Sequence, residues 1–165
     1  MAASPKKSLA LDTNLLLDLA GEEDFAHEFK EGFSRRGYTL LVPPTVVAEL
    51  EFFASQKDAP QHEIANVALE KMSGWECQPF TLSSTQLVIA TQFASRLMES
   101  SLIPETERND GKILAQASLA EIPLLVTSDG HLLTIDEDAL LLAFNEADLS
   151  PVRPVHPKRL LRVFR

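Results

Sequence analysis

The sequence predicts an α/β fold, a three-layer α/β/α sandwich around a mainly parallel central sheet. Three observations carry that expectation. Short apolar runs bounded by turn residues alternate with segments of helical period, which is the pattern of βαβ units. The units follow one another as βα, βα and then βα with a helical insertion. Finally, "IPLLVTSDG" near the C-terminus repeats the grammar of "SLALD" near the N-terminus: an apolar run, then polar residues and an acid.

"SLALD" (8–12) reads as the first strand, followed by a short helix from Asn14 to about Leu19. Residues 22–36 are amphipathic, with Phe25, Phe29 and Phe33 four apart on one face. "TLLVP" (39–43) is the second strand. Pro43 and Pro44 open a helix running to about Gln56, where proline is tolerated in the first turn and Thr45 is a candidate cap. A further helix covers about 60–73. "CQPFTL" (77–82) is a short edge strand, because Pro79 cannot donate to a ladder. Helices at about 84–101 and 105–120 precede "IPLLVTSDG". Residues 137–148 are helical, "PVRPV" is extended and "PKRLLRVF" forms a last helix. With no repeat, low-complexity tract or linker, residues 1–165 are expected to form a single domain.

Composition narrows the function classes. An apolar share of 45% and a charged share of 24% are ordinary globular values and exclude a disordered or fibrous chain. No apolar run approaches the ~20 residues that cross a bilayer, and "MAASPKKSLALD" has too short an apolar core for a signal peptide. A soluble, cytoplasmic protein without membrane partners is expected. The lone Cys77 permits neither an internal disulfide nor a cysteine-based zinc site. The net charge of −9 is uneven, since residues 151–165 hold five of the 15 basic residues and none of the 24 acidic ones. An acidic body repels nucleic acid and argues against a simple nucleic-acid-binding module. It suits an enzyme whose acids gather cations.

Four acids stand where solvent-facing acids should not. In an open parallel sheet, ligands bind outside the carboxyl ends of the strands. Asp12 and Asp129 directly follow apolar strands and would project there. In "PTVVAELEFFA", Glu49 shares the helical stripe of Val46 and Phe53, whereas Glu51 points elsewhere. In "RNDGKILAQASLA", Asp110 aligns with Ile113, Leu114 and Ala117. A desolvated carboxylate costs several kcal/mol unless paired, protonated or bound to a cation. No lysines sit at matching positions to neutralise four of them. A hard divalent cation, Mg²⁺ or Mn²⁺, would do so through carboxylate oxygens.

Taken singly, each acid has a plainer role. Asp12 or Asp129 could cap a following helix, Asp110 could favour a helix dipole, and Glu49 would be exposed if the helical phase were off by one. It is their joint occurrence that points to a shared metal site. His27, His62, His131 and His156 show no ligand spacing and read as surface or satisfied histidines. The tail residues Arg153, Lys158, Arg159, Arg162 and Arg165 could hold phosphates, balance the acidic body or meet a partner.

The ordered set "LALDTN", "VVAELE", "NDGKILAQA" and "LLVTSDGHL", over residues 8–133, resembles the PIN-domain family, the metal-dependent ribonucleases that include VapC-type toxins. "VRPVHPKRLLRVF" is similar to the strand-then-helix ending of many members. The resemblance implies a metal-dependent endoribonuclease that cleaves single-stranded RNA to 5′-phosphate and 3′-hydroxyl products. It places the acidic site on Asp12, Glu49, Asp110 and Asp129, with Asn14 and Thr127 or Ser128 as supporting polar groups. It also implies an antitoxin-like protein partner and a homodimer. His131 stands where many members carry a further acid, which leaves one or two ions open, and the helical region of 58–101 is longer than in compact toxins. Two other readings remain. One is a PIN-fold binding or regulatory module whose acidic pocket receives a basic segment. The other is a haloacid-dehalogenase-like phosphatase, although that family wants a second acid where this chain has Asn14.

Overall fold

The computed structural model describes residues 7–163. Five strands, β1 (Ser8–Leu11), β2 (Thr39–Val42), β3 (Cys77–Pro79), β4 (Leu124–Val126) and β5 (Arg153–Val155), form one sheet in the order β3-β2-β1-β4-β5. Every neighbouring pair is parallel, as in Leu9 opposite Leu40 and Val126 opposite Val155. The helices are α1 (Thr13–Ala20), α2 (Asp24–Arg35), α3 (Pro44–Ser55), α4 (His62–Lys71), α5 (Ser84–Glu99), α6 (Arg108–Leu119), α7 (Gly130–Leu133), α8 (Glu137–Glu146) and α9 (Pro157–Val163). The expected three-layer α/β/α sandwich is the architecture found. Among the described residues no helix is long and apolar enough to cross a membrane.

The strands carry near-continuous apolar runs because a parallel sheet is covered on both faces. In the central strand Leu9, Ala10 and Leu11 are all buried. Both edges hold a proline, Pro79 in β3 and Pro154 in β5, which blunts them against further pairing. Phe29 and Phe33 of α2 are buried and Phe25 packs against the core from its rim, in keeping with their spacing.

Topology fixes where a ligand would go. From β1 the chain first winds outward through β2 to β3, then crosses back through α5 and α6 to lay β4 on the other side of β1. The strand order therefore reverses between β1 and β4, and the crevice at their carboxyl ends is the switch point where open α/β sheets bind ligands. The ladder continues one residue beyond each strand, with the Asp12 amide on the Val126 carbonyl (3.0 Å) and the Thr127 amide on the Val155 carbonyl (2.9 Å). Asp12 and Thr127 thus leave the sheet side by side.

Two local expectations are corrected. Thr45 does not cap α3, whose cap position is Pro43 with no side-chain bond. Instead the Thr45 amide donates to Gln116 Oε1 (3.0 Å), and Gln116 Nε2 donates to Thr45 Oγ1 (2.7 Å). This buried bidentate link ties α3 to α6, the two helices that carry Glu49 and Asp110. The single turn α7 after Asp129 was also not expected, because four residues are too few to show a helical period.

Helix α6 must lie very close to α5. A Cβ added to Gly111 would stand 2.7 Å from Ala94 Cα and 2.8 Å from Ala94 Cβ, with Ile103 Cδ1 at 3.0 Å. Gly111→Ala is therefore expected to push α6, and Asp110 with it, away from α5. The cost should be about 1–3 kcal/mol for overpacking, read as a lower thermal midpoint. An unchanged midpoint would show that the two helices separate freely.

Candidate metal centre

Asp12 is the most enclosed of the acids, 2% exposed at the end of β1. Its Oδ2 accepts the Thr127 hydroxyl at 2.6 Å. Burial pushes its pKa up to about 7; the Thr127 hydroxyl and the Thr13 amide pull the other way, and Glu49 and Asp129 add repulsion. Thr13, the next residue, donates its hydroxyl to Glu49 Oε1 at 2.7 Å and so fixes the α3 acid against the start of α1. Burial also raises the Glu49 carboxyl, against the lowering by Thr13 and the Asn109 side chain.

Asp110 occupies the first turn of α6 and is 7% exposed. Its Oδ2 is buried with no hydrogen-bond partner. Burial raises its pKa to about 9, reinforced in order by Asp12, Asp129, Glu107 and Glu49. Asp129 is set by its own turn: its amide donates to Thr127 Oγ1 (2.9 Å) and its Oδ1 accepts the His131 amide (2.9 Å). Thr127 therefore serves both Asp12 and Asp129. A buried carboxylate oxygen left without a donor is costly, and a cation is the missing partner this chemistry calls for.

The four acids expected from the sequence sit around one crevice, with Asp110 feeling the charge of the other three. Among the described residues, the group whose ligand atoms come close enough to share an ion leaves out Asp12 and Glu49 and includes a residue that the sequence pattern did not mark. Glu107, Asp110 and Asp129 each offer a carboxylate oxygen within 4.8 Å of the others. Glu107 sits three residues before Asp110 in a 3₁₀ turn that leads into α6 (Glu105–Glu107), and the i, i+3 spacing was its available signal. Thr13 and Asn109 were also missed, both adjacent in sequence to expected acids. Among the described hydrogen bonds none is made by the Asn14 side chain. Ser128 turns away from the acids and donates to Asp18 Oδ2 at 2.9 Å.

Several of the remaining titratable candidates have partners elsewhere, whereas His62 Nδ1 is buried without one. His27 bonds the Leu19 carbonyl and His156 Nδ1 accepts the Lys158 amide. Arg153 pairs with Glu137 at 2.8 Å, and the Lys158 ammonium lies 5.3 Å over the Phe25 ring. Arg165 lies outside the described residues. A cavity of about 540 Å³ between α8 and β5, lined by Leu132, Leu140 and Val152 together with Glu137, Asp138, Arg153 and Arg159, contains none of the crevice acids.

Comparison with solved structures finds the same fold at low identity. VapBC2 from Rickettsia felis, bound to a DNA fragment from their promoter, matches with a TM-score of 0.60 and 18% identity over 90% of this chain and 98% of that one. VapBC-1 from nontypeable Haemophilus influenzae matches at 0.57 and 14%, over 92% and 98%. FitAcB from Neisseria gonorrhoeae matches at 0.51 and 16%, over 90% and 97%. No curated protein sequence matches this chain at a significant level. The sequence model of the PIN domain matches residues 9–138, a span that contains every acid of the crevice. The chain belongs to the PIN domain family.

Proposed function

We propose that this chain, as one domain over residues 1–165, is a metal-dependent endoribonuclease that hydrolyses phosphodiester bonds of single-stranded RNA. The single observation that carries the reading is the buried, unpartnered oxygen of Asp110 among four other carboxylates. Asp12, Glu49, Asp110 and Asp129 would hold one Mg²⁺ or Mn²⁺, and serve as the catalytic acids. When bound, such an ion activates a water for in-line attack on phosphorus and neutralises charge building on the phosphate oxygens.

The protein groups have distinct tasks in this scheme. Thr127 holds the Asp12 carboxylate through Oδ2 and fixes the turn of Asp129, so one hydroxyl aligns two ligands. Thr13 aims Glu49. Asn14, in the first turn of α1, would orient Asp12 or a water, and Ser128 would support the loop from outside through Asp18. No covalent protein intermediate is needed. The PIN assignment displaces the haloacid-dehalogenase-like reading.

An antitoxin-like protein is the proposed partner, which would make this chain the toxin of a pair acting in the cytoplasm, and a homodimer the proposed assembly. The likeness to VapBC and FitAcB structures supports the partner. The competing view, a binding module with little activity, shares that partner. It is separated by calorimetry: partner binding without Mn²⁺ uptake would favour the module.

Cleavage of single-stranded RNA is expected with Mg²⁺ or Mn²⁺ and not in chelator, and Asp12→Asn should lose about 100-fold or more. Full activity in chelator, or wild-type rates in Asp12→Asn, would reject the nuclease.

The raised acids also predict how stability varies with pH. The metal-free folded chain keeps protons on Asp12 and Asp110 that the unfolded chain releases near pH 4, the ordinary carboxylate range. Their contribution is therefore complete below about pH 4 and is lost as pH climbs through about 7 and then about 9. Asp110→Asn should flatten that decline and leave the metal-free protein more stable at pH 8 by on the order of 1–3 kcal/mol. The same variant should lose stabilisation by Mn²⁺. Thermal scans from pH 5 to 9, with and without Mn²⁺, measure both; a less stable metal-free variant at pH 8 would contradict the crowding of charge described here.

A further inference from the structure

Helix α1 reads TNLLLDLA, and Asp18 is the acid set inside that apolar run, half-buried near the helix's last turn. A half-buried carboxylate on such a helix opposes folding unless something satisfies it. Burial raises the Asp18 carboxyl, the Ser128 hydroxyl pulls it back, Glu23 repels it and His156 attracts it. Ser128 Oγ donates to Asp18 Oδ2 at 2.9 Å, across 110 positions of sequence. Among the described residues no lysine or arginine pairs with Asp18. Its directed contact is therefore the one to Ser128.

That contact falls on the residue between two that serve the crevice. Thr127 gives its hydroxyl to Asp12 Oδ2 at 2.6 Å and accepts the Asp129 amide at 2.9 Å, while Asp129 Oδ1 accepts the His131 amide. Ser128 leaves the same loop on the opposite side. The loop after β4 is thus held inward by Asp12 and outward by Asp18, and both anchors belong to the continuous β1 and α1 segment. With the inner anchor alone, the loop can roll about the Thr127 bond and carry Asp129 with it. The other end of α1 holds a second acid, because Thr13 in its first turn donates to Glu49 Oε1 at 2.7 Å. Thr13 and Asp18 stand roughly 7.5 Å apart along a rigid helix axis.

We propose that Asp18 is a positioning residue for the Asp129 loop, acting through Ser128, and that α1 is a two-ended brace setting Asp129 and Glu49 in one register. Asp18 itself bonds none of the crevice acids. A carboxylate accepting a hydroxyl makes a strong, directional bond. Direction matters here because a displacement of about 1 Å in a reacting group costs on the order of 100-fold in rate. The consequence for activity rests on the metal-site reading above, whereas the placement of the loop is a property of the metal-free chain.

The test compares wild type with Asp18→Ala, Asp18→Asn, Ser128→Ala and the Asp18→Ala, Ser128→Ala double variant. Amide hydrogen exchange of the metal-free proteins is followed by NMR at Asp129 and His131, with the Asp12 amide, bonded to the Val126 carbonyl in the ladder, as the internal reference. Mn²⁺ affinity is measured by calorimetry, and kcat and KM on single-stranded RNA. Asp18→Ala and Ser128→Ala should each speed exchange at Asp129 and His131 and leave the Asp12 amide alone. Mn²⁺ affinity and kcat should fall roughly 10- to 100-fold, with KM little changed. Asp18→Asn keeps an oxygen that accepts the Ser128 hydroxyl and should restore most of the loss. The double variant should be no worse than either single one, since both break the same bond. Unchanged exchange at Asp129 and His131, a rise shared by the Asp12 amide, equal damage from Asp18→Asn and Asp18→Ala, or losses that add in the double variant would each overturn the proposal. No uptake of Mn²⁺ by wild type would overturn the metal reading instead, and the exchange rates would still decide the brace. Should Asp18→Ala fail to fold, Ser128→Ala removes the same bond with a smaller change.

Discussion

Everything distinctive about this protein follows from negative charge that the fold concentrates and does not neutralise. Asp12, Glu49, Glu107, Asp110 and Asp129 come from a strand end, two helices and their approaches, and the loop after another strand. Among the described residues no lysine or arginine pairs with any of them, and the exposed His131 ring lies 4.0 Å from Glu107. A chain under selection for stability alone would place apolar side chains at Asp12 and Asp110, which are almost fully enclosed. Leaving carboxylates there opposes folding, and the raised pKa values of Asp12 and Asp110 record that opposition.

The scaffold is arranged to tolerate this opposition. The reversal of strand order between β1 and β4 opens the crevice, and the continued ladder from Asp12 to Val126 and from Thr127 to Val155 holds its two walls in register. Thr127 and Thr13 each give a hydroxyl to a carboxylate, which stabilises the ionised form without cancelling its charge. On the helical side, the Gln116 link to Thr45 and the bare backbone of Gly111 against Ala94 lock α3, α5 and α6 together. These contacts lie away from the acids, yet they set the distance between Glu49 and Asp110.

Much of this was legible in the sequence, for identifiable reasons. The parallel sheet showed itself because buried strands read as apolar runs, and Pro79 marked one edge. Asp12, Glu49, Asp110 and Asp129 stood out because each interrupts or ends an apolar pattern. Glu107 did not, since it precedes a helix in a polar stretch and breaks no pattern of its own. Helix ends were blurred for a backbone reason. Glu22, Glu76, Ser101, Glu121 and Asp148 take positive φ near 60° where a glycine would ordinarily announce a stop. Ser128 and Thr127 looked interchangeable as supports, because successive residues leaving a strand point to opposite sides, and sequence does not say which side holds the acids.

The sequence by itself determined the class of fold, the order of its elements, the PIN resemblance and the four acids set against their apolar surroundings. These are matters of local pattern, carried by residue type and spacing along the chain. Only the tertiary structure decided that Glu107 joins Asp110 and Asp129, that Thr127 and not Ser128 serves the crevice, that Thr45 is spent on Gln116, and that His131 stands beside Glu107. Each of those depends on distances between residues remote in sequence or on the side to which a loop turns. Such distances are set by how helices and strands pack, which no single segment encodes.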